Sequence, residues 1–405
     1  MKKSESLLRG WDNAKKMAII TFFSNLYFYN HVGTLYQQTR GLSLLQVSSI
    51  WAVITGAIFL FEVPTGIVAD RIGRKRSVVI ALLLQALGEW LYLFANNYLA
   101  FVFIALIAGL GYAFLSGANE ALVYDSLPTE NKDNEMKKAM GMMGGAYQLA
   151  FCAAPLIGGL VVSQLEISFF LRAILLTAVS VTLAFFVSLT LKEPSNEYVH
   201  VEENPLLIFR DGLKQIWKNQ KLKWILAVAV LTTTFSNSLL SLYQPYFAQI
   251  HIPTFWIGAV LSMGGLAAFI IQKNIHLIEQ KLGRFTFLVL SLLPGLAYLA
   301  LASVTLPALL IPMFVGAYAL VEARNPLLSS YRNAEIENKH RATILSLMNM
   351  MTMLYIAGMS LVFGRIADYS IPLAFTTIGG LIIFFTLIMR VDKINLNNSI
   401  PTTNK

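Results

Sequence analysis

Four carboxylates stand in stretches otherwise too apolar to hydrate them: Glu62, two residues before Pro64; Glu89; Glu120, beside Asn119; and Glu322. A carboxylate in such surroundings has to be protonated, hydrogen-bonded or matched by a cation, because an unpaired charge withdrawn from water is strongly unfavourable. Each is therefore a candidate for carrying a proton or meeting a cationic solute, with Glu62, Glu120 and Glu322 as the set assigned to that role. The competing reading is a pair satisfied within the protein. Arg324 joins the same set, although its offset of two residues from Glu322 points the two side chains to different faces of one helix.

Polar and aromatic residues interrupt two other apolar stretches. Asn25, Tyr29 and Tyr36 do so in one, and Asn237, Ser241, Tyr243, Gln244 and Tyr246 in the other. Asn25, Tyr29, Asn237 and Tyr243 are the candidates for lining a cavity, and the same tyrosines would serve equally as helix anchors at a membrane interface. His31 lies between these residues, and a lone histidine there fits a hydrogen-bonded structural role as readily as titration.

The elements that must position these groups follow from composition. The chain of 405 residues is 56% hydrophobic and 13% charged, about half the charge of soluble domains, and its mean hydropathy is +0.61. A helix crossing a bilayer needs roughly 20 apolar residues, since the backbone must satisfy its own hydrogen bonds there. Such runs recur at 17–37, 46–68, 77–95, 99–124, 140–162 and 168–191, then at 224–248, 255–275, 285–303, 307–328, 342–363 and 372–389. The expected fold is an all-α integral membrane protein with twelve transmembrane helices in two pseudo-symmetric six-helix bundles, 1–191 and 224–405, joined by a polar cytoplasmic linker, 192–223. Within that linker, Leu213, Ile216 and Trp217 are placed to face lipid headgroups.

The net charge of +9 would suit nucleic acid in a soluble protein, but the positions of the basic residues exclude that reading. With the N-terminus inside, all but four of the 31 Lys and Arg lie in cytoplasmic segments or at helix ends, the exceptions being Arg40, Arg172, Arg324 and Arg365. Both termini are thus expected in the cytoplasm and the protein in the plasma membrane. The first span, flanked by Lys15 and Lys16, is expected to be retained, because it is too long for a signal-peptide core. Cys152 is the single cysteine, so no disulfide within the chain and no cysteine-based metal site is expected. No phosphate-binding loop, dinucleotide fingerprint, zinc pattern or nucleophile elbow occurs, which leaves ATP drive and catalysis without residues to carry them.

The halves echo each other. Thr21-Phe22-Phe23-Ser24-Asn25 returns as Thr233-Thr234-Phe235-Ser236-Asn237, Asp70-Arg71-Ile72-Gly73-Arg74 returns weakly as Gln280-Lys281-Leu282-Gly283-Arg284, and Asn119-Glu120 is echoed by Glu322-Ala323. Duplicated halves in transporters place the solute site at their interface.

One stretch carries mechanism by its spacing: Gly66, Asp70, Arg71, Gly73 and Arg74, followed by Lys75 and Arg76. Glycines let helix ends and a tight turn approach, and a carboxylate among cations makes a latch. This stretch resembles the motif that the major facilitator superfamily carries between its second and third helices. The twelve-span layout, the central linker and the weak second copy agree with that resemblance over the whole chain. It implies alternating access of two bundles, with Asp70, Arg71 and Arg74 gating rather than binding solute. Gly141, Pro155, Gly158 and Gly159 in the fifth span resemble the glycine-proline motif of the drug/proton antiporter branch, where small residues let a helix pack against a partner such as Gly258, Gly264 and Gly265. Alanine at 150 and 154, and the lack of an arginine in 101–111, depart from that branch. Gly364-Arg365-Ile366-Ala367-Asp368 imitates the gating motif at the opposite end of a span and is read as chance.

The resulting expectation is a secondary transporter, not an enzyme, without cofactor or metal, that exports lipophilic and cationic drugs or metabolites in exchange for protons. Its partners are a small-molecule solute, protons and the lipid bilayer, with no nucleic acid. A nutrient importer or symporter is the rival within transport. A non-transporting membrane receptor or assembly partner with the same fold is the rival outside it.

Overall fold

The computed structural model describes residues 2–127, 131–194, 214, 216–334 and 341–389, and the regular structure among them is helical. Ten helices, or helix pairs joined by a short break, are long and apolar enough to cross a membrane among these residues. Apolar length gives ten where the sequence implies twelve for a local reason. The stretch 17–37 is divided between a helix that begins far back in polar sequence, Lys2–Ser24, and a short one, Gly33–Thr39; the stretch 77–95 falls on Arg74–Tyr92, whose first residues are Arg74, Lys75 and Arg76.

The chain forms two compact units. The first comprises Met1–Glu202 and Pro253–Ser262. It contains α1 (Lys2–Ser24), α2 (Gly33–Thr39), α3 (Leu44–Ile72), α4 (Arg74–Tyr92), α5 (Tyr98–Leu115), α6 (Ala118–Ser126), α7 (Lys132–Val161) and α8 (Ile167–Leu189). Within it α5 packs on α3 and α4, α8 on α4 and α1, and α7 on α1. Near the basic helix ends these helices enclose Met17, Ile20, Val78, Leu82, Leu122 and Val123. The start of α3 is fixed by a reciprocal cap: the Gln46 amide donates to the Ser43 hydroxyl at 3.3 Å, and the Ser43 amide donates to the Gln46 side chain at 2.9 Å.

The second unit comprises Glu203–Ile252 and Met263–Lys405. It holds α9 (Gln220–Leu231), α10 (Ser236–Gln249), most of α11 (Thr254–Lys273), α12 (Ile275–Leu282), α13 (Thr286–Ser303), α14 (Pro307–Ala323), α15 (Asn325–Ala334), α16 (Arg341–Tyr369) and α17 (Ile371–Ile388). Here α13 packs on α17 and α14, and α16 on α17, α9 and α10. Ile216 is 1% exposed and joins Leu222, Ile225, Leu226, Ile344, Leu347 and Met348 in a core cluster. The expectation that Ile216 faces headgroups is therefore corrected. An isoleucine just ahead of α9 finds a protein core to fill, while the neighbouring Trp217 stays exposed. Leu213 and most of the linker lie outside the described residues.

Four stretches expected as continuous spans are broken, and the sequence echoes mark the breaks. The copy Thr21–Asn25 sits where α1 ends, and Thr233–Asn237 sits where α9 gives way to α10. The pair Asn119-Glu120 follows the break between α5 and α6, and Glu322-Ala323 precedes the one between α14 and α15. Local chemistry explains part of this. Asn25 turns its amide back onto the Thr21 carbonyl at 2.8 Å and so competes with the helical ladder. Between α9 and α10 lie three consecutive threonines, and Phe235 adopts φ 50, a left-handed conformation costly for a side chain of that size. The α5–α6 break turns at Gly117, φ 72. By contrast, Gly364–Asp368 lies inside α16, where Arg365 donates to the Tyr369 hydroxyl at 2.9 Å.

Candidate functional site at the helix breaks

In the first unit, the bend between α1 and α2 is held by side chains of three neighbouring helices. The Phe28 amide donates to the Thr177 hydroxyl at 3.0 Å, and the Ser180 hydroxyl donates to the Phe23 carbonyl at 2.8 Å, both from α8. From α4, Glu89 accepts the Tyr29 hydroxyl on both carboxylate oxygens, at 3.0 and 3.2 Å. From α5, the Tyr112 hydroxyl meets that of Tyr27 at 3.4 Å. The Tyr29 and Tyr92 rings stack at 5.2 Å, which sets the carboxylate among aromatic faces.

The other break of this unit has a carboxylate too. Glu62 on α3 is half-buried and hydrogen-bonds Ser116, the residue that ends α5. One turn along, the Thr65 hydroxyl donates to the Ala113 carbonyl at 3.0 Å. Glu120 lies exposed in the first turn of α6, where the helix dipole favours a negative charge.

The second unit fixes its break between α9 and α10 with a cation. Arg324, 2% exposed, donates to the Thr232 hydroxyl at 2.7 Å and to the Ser291 hydroxyl at 3.4 Å. The Tyr298 hydroxyl is shared between the Thr234 and Phe235 carbonyls, 3.0 Å from each, which satisfies oxygens that the break takes out of the helical ladder. Glu322 accepts from Asn325 at 2.9 Å and hydrogen-bonds Ser236, the first residue of α10. Glu322 and Arg324 thus bind different partners, as their spacing implies. Arg324 is placed to fix the break rather than to meet a proton or a solute, because its burial and its hydroxyl partners commit the guanidinium to packing. The described residues contain no cluster of His, Cys, Asp and Glu able to hold a metal ion.

The cavity-lining candidates divide. Asn25 is half-buried at the bend, Tyr29 is engaged with Glu89, and Asn237 is exposed in the first turn of α10. Tyr243 is 1% exposed and stacks on Phe314 with ring centroids 4.4 Å apart, so it packs rather than lines. An aromatic stripe read from sequence does not separate the rings that meet a neighbour from those that face open space.

The small residues of α7 also divide. A side chain at Gly158 would collide with the Phe28 carbonyl and approach His31, and one at Gly159 would come within 3.1 Å of the Phe255 carbonyl. A side chain at Gly258 would meet the carbonyl of Pro155. These three glycines make close backbone packing possible, with His31 buried beside them. Gly141 meets nothing within 4 Å and Gly264 faces Tyr318, so neither belongs to this contact. On α7, close approach is confined to the turn at Gly158 and Gly159, which meets the span-one bend and Phe255.

At the basic end of the first unit, Asp70 pairs with Arg74 at 3.1 Å across one helical turn, Arg71 and Gly66 are exposed, and Gly73 turns the chain into α4 with φ 99. The residue that the sequence did not reveal is Glu193. Its two carboxylate oxygens accept the amides of Arg74 at 2.7 Å and Lys75 at 3.0 Å, capping α4, and a side chain at Gly73 would lie 2.8 Å from that carboxylate. Nothing in a Lys-Glu-Pro stretch so far along the chain signals a helix cap. Nearby, Asp12 binds Lys16 at 2.8 Å and Lys192 at 3.4 Å, and the hydrogen bond from Lys16 holds its carboxyl below the usual aspartate range.

Comparison with known proteins places this arrangement. A family model described as Major Facilitator Superfamily matches residues 17–359. The uncharacterized MFS-type transporter YxaM of Bacillus subtilis (strain 168) is 22% identical over 326 residues, 79% of this chain and 80% of that protein. Multidrug resistance protein MdtG of Serratia proteamaculans (strain 568) is 27% identical over 269 residues, 64% of this chain and 63% of MdtG, so that match spans less than two thirds of either. A crystal structure of the nucleoside transporter NupG aligns with a TM-score of 0.71 at 14% identity, covering 94% of this chain and 98% of the other. A likeness at that identity concerns the fold.

Proposed function

The chain belongs to the Major Facilitator Superfamily, and from that premise we propose that it is a secondary active exporter exchanging lipophilic and cationic drugs or metabolites for protons. That it is a multi-pass membrane transporter of small-molecule solutes follows from the family itself. In the proposed reading, twelve spans form two six-helix bundles, 1–191 and 224–405, joined by 192–223. The protein sits in the plasma membrane with both termini cytoplasmic, and the bundles alternate access to a solute between them. Gly66, Asp70, Arg71, Gly73 and Arg74 form the gate. Glu62, Glu120 and Glu322 handle the proton or the cation.

The observation that carries the reading is the state of these carboxylates. Among the described residues neither Glu62 nor Glu322 is in an ion pair; each is held by neutral groups at a helix break. A carboxylate held in this way can take up and release a proton without breaking a salt bridge. The relation to a protein named for multidrug resistance supports export as the direction.

The test is movement of a panel of cationic dyes in proteoliposomes under an imposed pH gradient. Gradient-driven extrusion is expected from the unmodified chain. Glu322→Gln is expected to abolish it while sparing exchange of solute down its own gradient, because only the proton-dependent step is lost. Full gradient-driven transport by both Glu120→Gln and Glu322→Gln would overturn the carboxylate assignment, and uptake driven in the opposite direction would favour the importer.

A further inference from the structure

The first turn of α4 is electrostatically ill-suited to start a helix. It reads Arg74, Lys75, Arg76, Ser77, and Arg71 stands just before the turn at Gly73. Cations there oppose the positive end of the helix dipole, and Gly73 has no side chain with which to cap the free amides. Ser77 donates its hydroxyl to the Phe114 carbonyl at 3.0 Å. Asp70 meets the Arg74 side chain, not the backbone, and is 55% exposed. An ion pair so open to water contributes little on its own to the geometry of the turn. The anion on the backbone comes from outside the motif: Glu193 accepts the Arg74 amide at 2.7 Å and the Lys75 amide at 3.0 Å, one on each carboxylate oxygen.

Glu193 is itself held in place. Asn13 on α1 is 3% exposed and grips the backbone of the preceding residue from both sides. Its side-chain amide donates to the Lys192 carbonyl at 2.8 Å, and its oxygen accepts the Lys192 amide at 3.0 Å. The same Asn13 nitrogen donates to the Ser126 hydroxyl of α6 at 2.7 Å. Lys16 donates to the Thr190 carbonyl at 2.9 Å, and Leu191 is buried among Ala14, Met17 and their neighbours. Residues 190–193 therefore run as a strap from α1 to the start of α4. A residue bonded through both its backbone groups has one orientation, and that orientation delivers the next side chain to the α4 amides.

Gly73 fits this arrangement twice over. Its φ of 99 belongs to glycine, and a side chain there would lie 2.8 Å from the Glu193 carboxylate. The glycine of the motif is thus both the turn and the space that the carboxylate occupies.

We propose that Glu193 is a positioning residue of the gate: it fixes the turn between Asp70 and Arg74 through the α4 amides, and Asn13 in turn fixes Glu193. The start of the linker and the basic end of α1 then set the geometry of the gate. This rests on the reading of the Asp70 motif as a gate; the hold on the turn does not.

The test is hydrogen exchange at residues 71–77 of the full chain in nanodiscs, with dye transport in proteoliposomes measured in parallel per folded molecule. Glu193→Gln keeps the size of the side chain but offers one acceptor oxygen to two amides. It is expected to speed exchange of the Arg74 and Lys75 amides about fivefold or more, which is about 1 kcal/mol. Asn13→Ala is expected to speed the same amides, and the double variant to exchange no faster than Glu193→Gln alone, because Asn13 acts through Glu193. Each single variant is expected to lower the maximal transport rate severalfold with KM nearly unchanged. A merely structural loss would lower folded yield and leave the rate per folded molecule as it was. Unchanged exchange in either variant, or additive effects in the double variant, overturns the proposal, and Asn13→Ala decides if Glu193→Gln fails to fold. An unchanged rate in Glu193→Gln where Asp70→Asn slows transport would remove Glu193 from the gate and leave the gate standing. Full transport by Asp70→Asn would remove the gate itself. If the unmodified chain moves no dye, the exporter reading fails, and the hold of Glu193 on the turn stands or falls by exchange alone.

Discussion

The span-one bend and the break between α9 and α10 solve one problem with different groups, and only the second adds a buried cation to its carboxylate. Each interrupts an apolar stretch at a copy of the same five-residue echo, and each leaves backbone groups without helical partners. In the first unit the neighbours are a half-buried carboxylate, tyrosines and α8 hydroxyls. In the second they are a fully buried guanidinium, the hydroxyl of Tyr298 and the carboxylate of Glu322 on Ser236. A carboxylate can lose its charge by taking a proton, whereas a guanidinium stays charged at any pH the protein meets. The carboxylate at the first bend can therefore lose its charge, whereas the guanidinium at the second break keeps its own, and the titratable group there is Glu322 on Ser236. Backbone contact adds to the difference: the span-one bend lies against Gly158, where a side chain would collide with the Phe28 carbonyl. Among the described glycines none meets residues 232–235 in this way.

The largest expected effect follows from that contact. Gly158→Leu drives a side chain into backbone that cannot rotate away, and it is expected to cost more than about 3 kcal/mol and to abolish folded yield. Gly141→Ala on the same helix meets open space and is expected to stabilise by about 0.5–1 kcal/mol through helix propensity. Yield and thermal unfolding of the two purified variants check this. Similar behaviour of both would mean that α7 does not brace the bend.

Next in size is Arg324. Arg324→Met keeps most of the volume and removes the charged donors to Thr232 and Ser291, an expected loss of about 1.5–3 kcal/mol in thermal unfolding. Arg324→Lys is expected to restore little, since the one terminal nitrogen that donates to both hydroxyls lies one atom farther from the backbone than a lysine nitrogen. Rescue by lysine would show that charge alone matters and would weaken the view of this break as geometrically fixed.

How these features relate to the sequence is uneven. The spans other than those carrying the breaks match apolar runs to within several residues, because hydrocarbon selects for length and composition and both are local. The echoes were legible as repeats, yet their meaning as breaks was not. Phe235 takes its left-handed conformation with the two carbonyls beside it bonded by Tyr298, far along the chain. Glu62 and Glu322 were legible as isolated charges, while their hydroxyl partners Ser116 and Ser236 come from other helices. Gly141 and Gly158 look alike in sequence, and only the position of Phe28 separates them. Glu193 was illegible for the same reason, since its role depends on the turn at Gly73 meeting the end of α8.

The smallest expected effect is the most direct test of the comparison, because it removes one oxygen from each break. Tyr298→Phe leaves the Thr234 and Phe235 carbonyls without their shared donor at a site where Tyr298 is 1% exposed, so water cannot replace it. An unsatisfied buried acceptor costs about 1–3 kcal/mol, and a loss of about 1 kcal/mol is expected in thermal unfolding. Tyr29→Phe removes the donor to Glu89, but that carboxylate is half-buried and water or a proton can take the place of the phenol. Its expected loss of stability is below about 0.5 kcal/mol. Tyr29→Phe should therefore leave thermal unfolding almost as before, while Tyr298→Phe lowers it. Equal destabilisation by the two variants would show that both breaks are closed structural joints, and the distinction between a half-buried bend and a fully buried one would fail.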